Sequence, residues 1–214
     1  PLFYTSGKHP LAFVQTEKAK FNPKSLGLDL TLTRGNTKYN FTVPFLGKYI
    51  AGAIGAGITI ADKLGLTKEQ VKKGVAQLRP LPHRLEIVSS KNGVVVIDDS
   101  YNGNPNGVRE AINALSQFKQ KRKIYVTPGL VEMGGVSPVV HKQIGEELAP
   151  VADLIILIRN SVTGNIANGL KRQGFPINDI MWFDTAQAAR ESLPNIVKAG
   201  DVILFQNDWP ENYI

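Results

Sequence analysis

Hydrophobic and polar residues alternate in the first part of the chain. Leucine occupies every second position over residues 26–33, and the alternation resumes with aromatic and β-branched residues over 39–43. A period of two directs successive side chains to opposite faces of a strand. Residues 26–43 are therefore predicted to form a half-buried β-hairpin, and the apolar run 11–16 predicts a short strand before it.

A change of period predicts two helices after the hairpin. Residues 47–64 carry Ala, Ile and Gly in helical spacing and are followed by Gly65. Thr67 and Gln70 have the spacing of a capping box, in which each residue bonds the backbone N–H of the other. A second helix is therefore predicted from Thr67 to about Leu78.

The segment 79–84 contains two prolines within four positions. Proline opposes helix formation and pushes the preceding residue toward extended backbone. We therefore place a domain boundary here, which divides the chain into domains at 1–80 and 81–214.

Strand-like and helix-like segments alternate beyond this boundary, which is typical of βαβ units and a mainly parallel sheet. The predicted strands are 85–89, 94–97, 123–127, 153–158, 180–183 and 201–205. The first two flank Asn92-Gly93, a hairpin signal. The predicted helices are 106–118, 138–148, 163–173 and 185–197. Open parallel sheets bind ligands at the carboxyl ends of their strands. The candidate binding loops are therefore 98–106, 128–137, 159–162 and 206–214.

Composition and charge narrow the classes of function. The 214 residues are 43% apolar and include no cysteine, which excludes disulfides, thiolate metal sites and a thiol nucleophile. The net charge is +7, of which residues 1–91 hold +9 and the remainder −2. This asymmetry suits an anionic partner or a solvated lysine surface. Scattered lysines without interleaved aromatics argue against nucleic acid. We expect neither a nucleic-acid nor a membrane partner. We also expect the protein to be cytoplasmic.

The densest group of chemically active side chains is the segment 98–107. It holds two carboxylates, a hydroxyl, a phenol and three asparagines directly after a buried strand. Such groups can bind a ribose, a base edge or hydrated Mg²⁺, and the following helix N-terminus favours an anion. A turn built from Asn, Gly and Pro for backbone reasons, with Asn106 as the N-cap, is the alternative.

Three further residues are weaker candidates. Arg84, beside the domain boundary, can bind a phosphate group through two parallel hydrogen bonds, or it is a surface arginine without such a role. Glu132, in a glycine-containing loop, is either a site carboxylate or part of a surface loop. His141 is interpreted as a structural histidine. The sequence has neither a Gly-x-Ser-x-Gly nucleophile elbow nor a Gly-x-x-x-x-Gly-Lys-Ser/Thr phosphate loop, and the histidines are spaced too irregularly for a metal site.

Several of these segments together resemble the Mur ligase family. The match consists of Arg84-Leu-Glu86, followed by Asp98-Asp-Ser-Tyr-Asn-Gly-Asn-Pro105 and by Val131-Glu-Met-Gly134 with His141. These resemble the C-terminal domain of the family, closest to the branch that adds D-alanyl-D-alanine to a UDP-muramoyl tripeptide. Leu46-Gly-Lys48 resembles the end of the family's central ATPase domain.

The resemblance implies a fold and an activity. The fold is α/β, with a Rossmann-like C-terminal domain and a mainly parallel sheet, preceded by the β-hairpin and helical end of a truncated central ATP-binding domain. The activity is ATP-dependent amide ligation in peptidoglycan precursor synthesis. In that reaction Mg-ATP phosphorylates a carboxylate of a UDP-muramoyl peptide, and an amine such as D-alanyl-D-alanine attacks the acyl phosphate.

The resemblance also assigns roles to residues. It places ATP against five residues of this chain: Arg84, Asp99, Tyr101, Asn102 and Asn104. It assigns the amino-acid or dipeptide acceptor to Asn104 and Glu132. It supplies no catalytic residue and no metal ligand from this chain. It implies that ATP and Mg²⁺ are cofactors of the full-length enzyme.

Departures from the family pattern suggest a divergent paralogue. His83 stands where the family has Gly, Pro128-Gly129 stands for Gly-Asp, and Gln206-Asn207 begins an ending that differs from Lys-Gly-Ser-Arg. Because the phosphate loop is absent, we expect a C-terminal fragment that is inactive until N-terminal and central segments complete it. The alternative is a non-catalytic Rossmann-like module that binds a nucleotide or a protein.

Overall fold

The computed structural model describes residues 3–5, 12–89 and 93–207. The chain divides into two compact units between Pro80 and Leu81, within the proline-containing segment. Across the described residues, no helix combines the length and the apolar character needed to cross a bilayer.

The first unit is a four-stranded sheet with two helices. Its elements are β1 (Phe3–Thr5), β2 (Ala12–Asn22), β3 (Gly27–Arg34), β4 (Thr37–Val43), α1 (Ile50–Lys63) and α2 (Lys68–Ala76). The strands lie in the order β1-β2-β3-β4, with β1 parallel to β2 and the other pairs antiparallel. The alternating leucines of β3 are buried as predicted, and Thr67 and Gln70 form the predicted capping box.

Strand β2 is longer than the apolar run 11–16 predicts. It pairs with β3 as far as Asn22 opposite Gly27. Ala19 and Phe21 pack against the core of this unit, whereas Lys18 and Lys20 are exposed. The lysines break up the apolar pattern in the sequence, and for this reason the second half of the strand is missed.

The second unit is a six-stranded sheet with four helices. Its strands are β5 (Glu86–Ser89), β6 (Val95–Asp99), β7 (Lys123–Thr127), β8 (Leu154–Ile158), β9 (Ile180–Phe183) and β10 (Val202–Gln206). Its α-helices are α3 (Pro105–Ser116), α4 (Ser137–Leu148), α5 (Thr163–Arg172) and α6 (Ala186–Ile196). The strand order is β5-β6-β10-β7-β8-β9, and only β5 runs antiparallel to its neighbour. This confirms the predicted α/β class and the mainly parallel sheet.

One predicted helix cap is wrong. The N-cap of α3 is Asn104 and not Asn106, because the Asn104 side-chain oxygen accepts hydrogen bonds from the backbone N–H groups of Asn106 and Gly107, both at 3.0 Å. Pro105 occupies the first turn, where its fixed φ suits a helix and its missing N–H is not needed.

Helices α4 and α5 cross at two glycines. A Cβ atom at Gly145 would collide with the carbonyl oxygen of Ile166, and one at Gly169 would collide with that of Lys142. The missing side chains therefore let the two backbones touch. This contact fixes the position of α4 against α5, and α4 directly follows the candidate loop 128–137.

We expect Gly145→Ala to lower the free energy of unfolding by about 1–3 kcal/mol or more, because the helices must separate to admit a methyl group. Gly164→Ala is the matched control in α5, since a Cβ there meets nothing within 4 Å. Urea unfolding monitored by circular dichroism measures both. Equal stability of the two variants would contradict the close crossing.

Candidate functional site

The carboxyl end of β6 carries the acidic segment singled out in the sequence. Asp98 is held on both of its oxygens: Oδ1 accepts hydrogen bonds from the Ser100 hydroxyl at 2.6 Å and the Ser100 amide at 3.0 Å. Its Oδ2 lies 2.8 Å from Nδ1 of His83. The carbonyl oxygen of His83 in turn accepts a bond from the Tyr101 amide. These bonds fasten the segment after β6 to the stretch that carries Arg84.

Four of the candidate residues come together at this point. The Arg84 guanidinium donates from Nη1 to the carbonyl oxygen of Asn102 at 2.6 Å, and its Cζ lies 4.4 Å from the centre of the Tyr101 ring. The charge of Arg84 also acts on the Asp99 carboxyl group. Residues at the two sequence ends of the β5-β6 strand pair thus form one surface, which we call the arginine–aspartate loop (Arg84 with residues 98–104).

The Asp99 carboxyl group has a raised pKa. Burial raises the pKa of its carboxyl group from 3.8 to about 7, and the charge of Asp98 adds to the increase. A hydrogen bond from the Leu85 backbone and the charge of Arg84 oppose this rise without cancelling it. Carboxyl groups whose pKa is strongly shifted by burial and by a specific charged neighbour are frequent at functional sites.

Asn104 occupies a different position from its neighbours. Its carboxamide oxygen is committed to the cap of α3. Of the five residues assigned to ATP, Asn102 alone lines the pocket described next. Ligand contact by Asn104, to either ATP or an acceptor, stays a prediction.

A pocket of about 800 Å³ opens at the carboxyl edge of the sheet. Its lining draws on all four loops proposed from the topology, including Asn102, Glu132, Asn160 and Asn207. Of the predicted loop 206–214, residues 208–214 lie outside the described part of the chain. The structure therefore places Glu132 in the pocket wall, with a left-handed φ of 59°. The volume lies within the range of small-ligand sites, roughly 300–1,000 Å³.

The sequence reasoning missed one wall of this pocket. Asp184 and Ala186, which follow β9, also line it. Asp184 forms an ion pair with Arg159, whose guanidinium lies over the Trp182 ring. Asp184 directly follows the carboxyl end of β9, so the same strand-end rule that predicts the other four loops also identifies this segment.

His141 holds the pocket-lining residue Leu130 by a hydrogen bond, in agreement with its interpretation as a structural histidine. The side chain is fully buried, and its Nε2 accepts a hydrogen bond from the Leu130 amide at 2.8 Å. Nδ1 must then carry the proton, which it donates to the carbonyl oxygen of Ser137 at 2.7 Å. The imidazole thereby ties the pocket loop (residues 128–137) to the first turn of α4.

We expect His141→Ala to lower the free energy of unfolding by about 2–4 kcal/mol, because it leaves a cavity and an unpaired buried Leu130 amide. His141→Asn retains a donor and an acceptor, so it should recover part of the loss. Denaturant unfolding of both variants checks this order. A loss below about 1 kcal/mol in the alanine variant would contradict the tie.

One trio could in principle hold a cation. Within the described part of the chain, the ligand atoms of His83, Glu86 and Asp98 lie within 4.8 Å of one another. They are already occupied, since Asp98 faces His83 and Glu86 accepts a bond from the His83 backbone at 2.8 Å. Mg²⁺ prefers an all-oxygen octahedron that keeps several waters, so this trio fits it poorly.

Comparisons with known proteins identify the family of the second unit. The family model described as "Mur ligase, glutamate ligase domain" matches residues 83–206. The UDP-N-acetylmuramoyl-tripeptide–D-alanyl-D-alanine ligase of Bacillus subtilis is 24% identical over 167 residues, which cover 78% of this chain and 36% of that protein. The ligase of the same name from Escherichia coli is 29% identical over 123 residues, covering 57% and 27%.

Solved structures show the same fold. The MurF ligase of Thermotoga maritima in complex with ADP aligns with a TM-score of 0.74 at 21% identity, covering 92% of this chain and 43% of that one. MurF of Acinetobacter baumannii aligns with a TM-score of 0.78 at 22% identity, covering 94% and 43%. The chain thus spans well under half of the length of these relatives. The family match covers more than half of the chain, and on that basis the chain belongs to the Mur ligase family.

Proposed function

We propose that this chain is the C-terminal part of an ATP-dependent amide ligase, in which the arginine–aspartate loop binds the nucleotide and the adjoining pocket receives the amine acceptor. The observation that carries the proposal is the double position of Asn102. Its carbonyl oxygen binds Arg84, and the same residue lines the pocket. An amide ligase needs its activated carboxylate and its amine close together, because positioning supplies much of the rate enhancement.

The arginine–aspartate loop has one group suited to the phosphates of ADP or ATP and one suited to the ribose. A guanidinium carries five N–H donors, more than the single Asn102 carbonyl can use, and it matches phosphate oxygens in a fork. The ionised Asp99 carboxylate can accept hydrogen bonds from ribose hydroxyl groups. The Tyr101 ring, which is 47% exposed, orients the Arg84 guanidinium through a cation–π contact with the ring face.

The pocket side suits a small amine-bearing acceptor. Glu132 and Asp184 both line the pocket. The Glu132 carboxylate can attract an ammonium group, whereas the Asp184 carboxylate is paired with Arg159. The named relatives join D-alanyl-D-alanine to a UDP-muramoyl tripeptide. We therefore assign D-alanyl-D-alanine or a similar amine to this pocket and a UDP-muramoyl peptide to the rest of the complete enzyme. ATP and Mg²⁺ complete the reaction, with the phosphate-binding loop supplied by other segments of the full-length polypeptide.

The test is product formation by the complete polypeptide. With Mg-ATP, UDP-muramoyl tripeptide and D-alanyl-D-alanine, mass spectrometry should detect the amide product and one phosphate per amide formed. The 214-residue chain alone should turn over no ATP. Absence of an ATP-dependent product from the complete polypeptide would contradict the proposal, and so would rapid ATP turnover by the chain alone.

Within the complete enzyme, Glu132→Ala should raise the KM for the acceptor by roughly tenfold and leave the KM for ATP unchanged, because a charge-assisted contact is lost on one side only. Glu191→Ala is the matched control, since Glu191 is an exposed carboxylate on α6 outside the pocket lining. Steady-state kinetics with each substrate varied in turn measures the split. Equal changes in both KM values would place Glu132 outside the acceptor site.

A further inference from the structure

Asn207 connects three strand ends at the carboxyl edge of the sheet. Its Oδ1 accepts a hydrogen bond from the Gly103 amide at 2.9 Å, and its Nδ2 donates to the carbonyl oxygen of Gly129 at 2.6 Å. Its own amide donates to the carbonyl oxygen of Asp99 at 3.0 Å. The residue is 7% exposed and lines the pocket.

The residue type matches this position. Asn207 has a left-handed φ of 56°, which asparagine tolerates better than most side chains. A carboxamide also offers a donor and an acceptor on adjacent atoms, so that it can bridge a backbone N–H to a backbone carbonyl. Glycine would accept the backbone geometry without the bridge, and aspartate would retain only the acceptor.

We propose that Asn207 is a positioning residue that couples nucleotide binding to the shape of the acceptor pocket. The inference rests on the proposed function, because it names the nucleotide and the acceptor as the two ligands. Its side chain links the arginine–aspartate loop at Gly103 to the pocket loop at Gly129. A shift of the first loop on nucleotide binding therefore moves the second through one buried carboxamide.

Asn160 provides the matched comparison. Its Nδ2 donates to the carbonyl oxygen of Pro128 at 2.6 Å, and its Oδ1 accepts from the amides of Val162 and Thr163. It thus holds the same pocket loop to the segment after β8 and has no bond to the arginine–aspartate loop among those found for it. A variant at Asn160 disturbs the pocket without cutting the proposed connection.

The experiment is an amide NMR titration of the 214-residue chain with Mg-ADP, accompanied by hydrogen exchange. In the parent chain, Mg-ADP should shift the amides of residues 99–104 and also those of 128–134. In Asn207→Gly the first set should still shift and the second should not, and the Gly103 amide should exchange about tenfold faster because its acceptor is gone. In Asn160→Ala both sets should still shift.

Asn207→Asp separates coupling from folding. It retains the acceptor for Gly103, so that this amide stays protected, but it loses the donor to Gly129 and with it the response of 128–134. If Asn207→Gly does not fold, the aspartate variant decides the matter by this pattern alone.

Three outcomes would overturn the inference. Transmission that persists in both Asn207 variants would show that another route carries it. Shifts confined to 99–104 in the parent chain would show nucleotide binding without coupling, which leaves the proposed function intact. A complete lack of shifts with Mg-ADP would reject both the coupling and the nucleotide site.

Discussion

Replacing Arg84 by alanine is expected to weaken Mg-ADP binding to the 214-residue chain by about tenfold to a hundredfold. The estimate corresponds to the loss of one charge-assisted hydrogen bond to phosphate, roughly 1.5–3 kcal/mol. Arg84→Lys should recover only part of the affinity, because an ammonium group keeps the charge but neither forks nor stacks on Tyr101 as the guanidinium does. Isothermal titration calorimetry measures all three proteins.

Arg172→Ala serves as the control for loss of a positive charge. Arg172 lies on α5, is largely exposed, and pairs with Glu146 rather than with the arginine–aspartate loop. Its removal should leave the affinity for Mg-ADP unchanged. If Arg84→Ala binds Mg-ADP as tightly as the parent chain does, the phosphate-binding role of Arg84 is wrong.

The second large effect is a pH dependence of stability caused by Asp99. The pKa of its carboxyl group is about 7 in the folded chain against an ordinary value of 3.8. Between these values the folded state holds a proton that the unfolded state has lost. Stability from this group is therefore present at low pH and is lost as pH rises toward 7.

The expected result is that the parent chain loses about 2–3 kcal/mol more stability than Asp99→Asn does between pH 5 and pH 8. The asparagine variant carries no charge there at either pH. Asp184→Asn is the control, because the Asp184 side chain is 86% exposed, and it should follow the parent. Urea unfolding at both pH values gives the comparison. Parallel pH profiles for the parent and Asp99→Asn would exclude the raised pKa.

The same protonation affects the proposed nucleotide site. An ionised Asp99 accepts hydrogen bonds from ribose hydroxyl groups, whereas the neutral acid offers a weaker acceptor. Binding of adenosine, which has no phosphate to titrate, should therefore strengthen as pH rises from 6 to 8. Asp99→Asn should remove this trend, and calorimetric titration measures it directly. An equal trend in the variant would assign it to another group.

Periodicity carried most of the fold prediction. The leucines of β3 and the continuous apolar run of β8 specify buried strands from local sequence alone. The apolar run in β6 specifies a strand that is buried at Val95 and Ile97. The parallel sheet follows from their alternation with helices, and the sheet in turn locates the ligand-binding edge. By contrast, the lysines in β2 are exposed and conceal the second half of that strand.

The site was only partly predictable because its contacts are non-local. The acidic segment at the carboxyl end of β6 and Glu132 stand out by composition. Asn207 does not, since its importance arises from bonds to Gly103 and Gly129, which are 104 and 78 residues away in the chain. A lone asparagine after a strand reads as a turn residue until the sheet order places β10 between β6 and β7.

A crystal structure of the 214-residue chain grown with Mg-ADP tests the central claim most directly. The account predicts ribose hydroxyl groups within hydrogen-bond distance of the Asp99 carboxylate and phosphate oxygens facing the Arg84 guanidinium. Nucleotide bound at saturating concentration anywhere else on the chain, with Asp99 and Arg84 untouched, would contradict it.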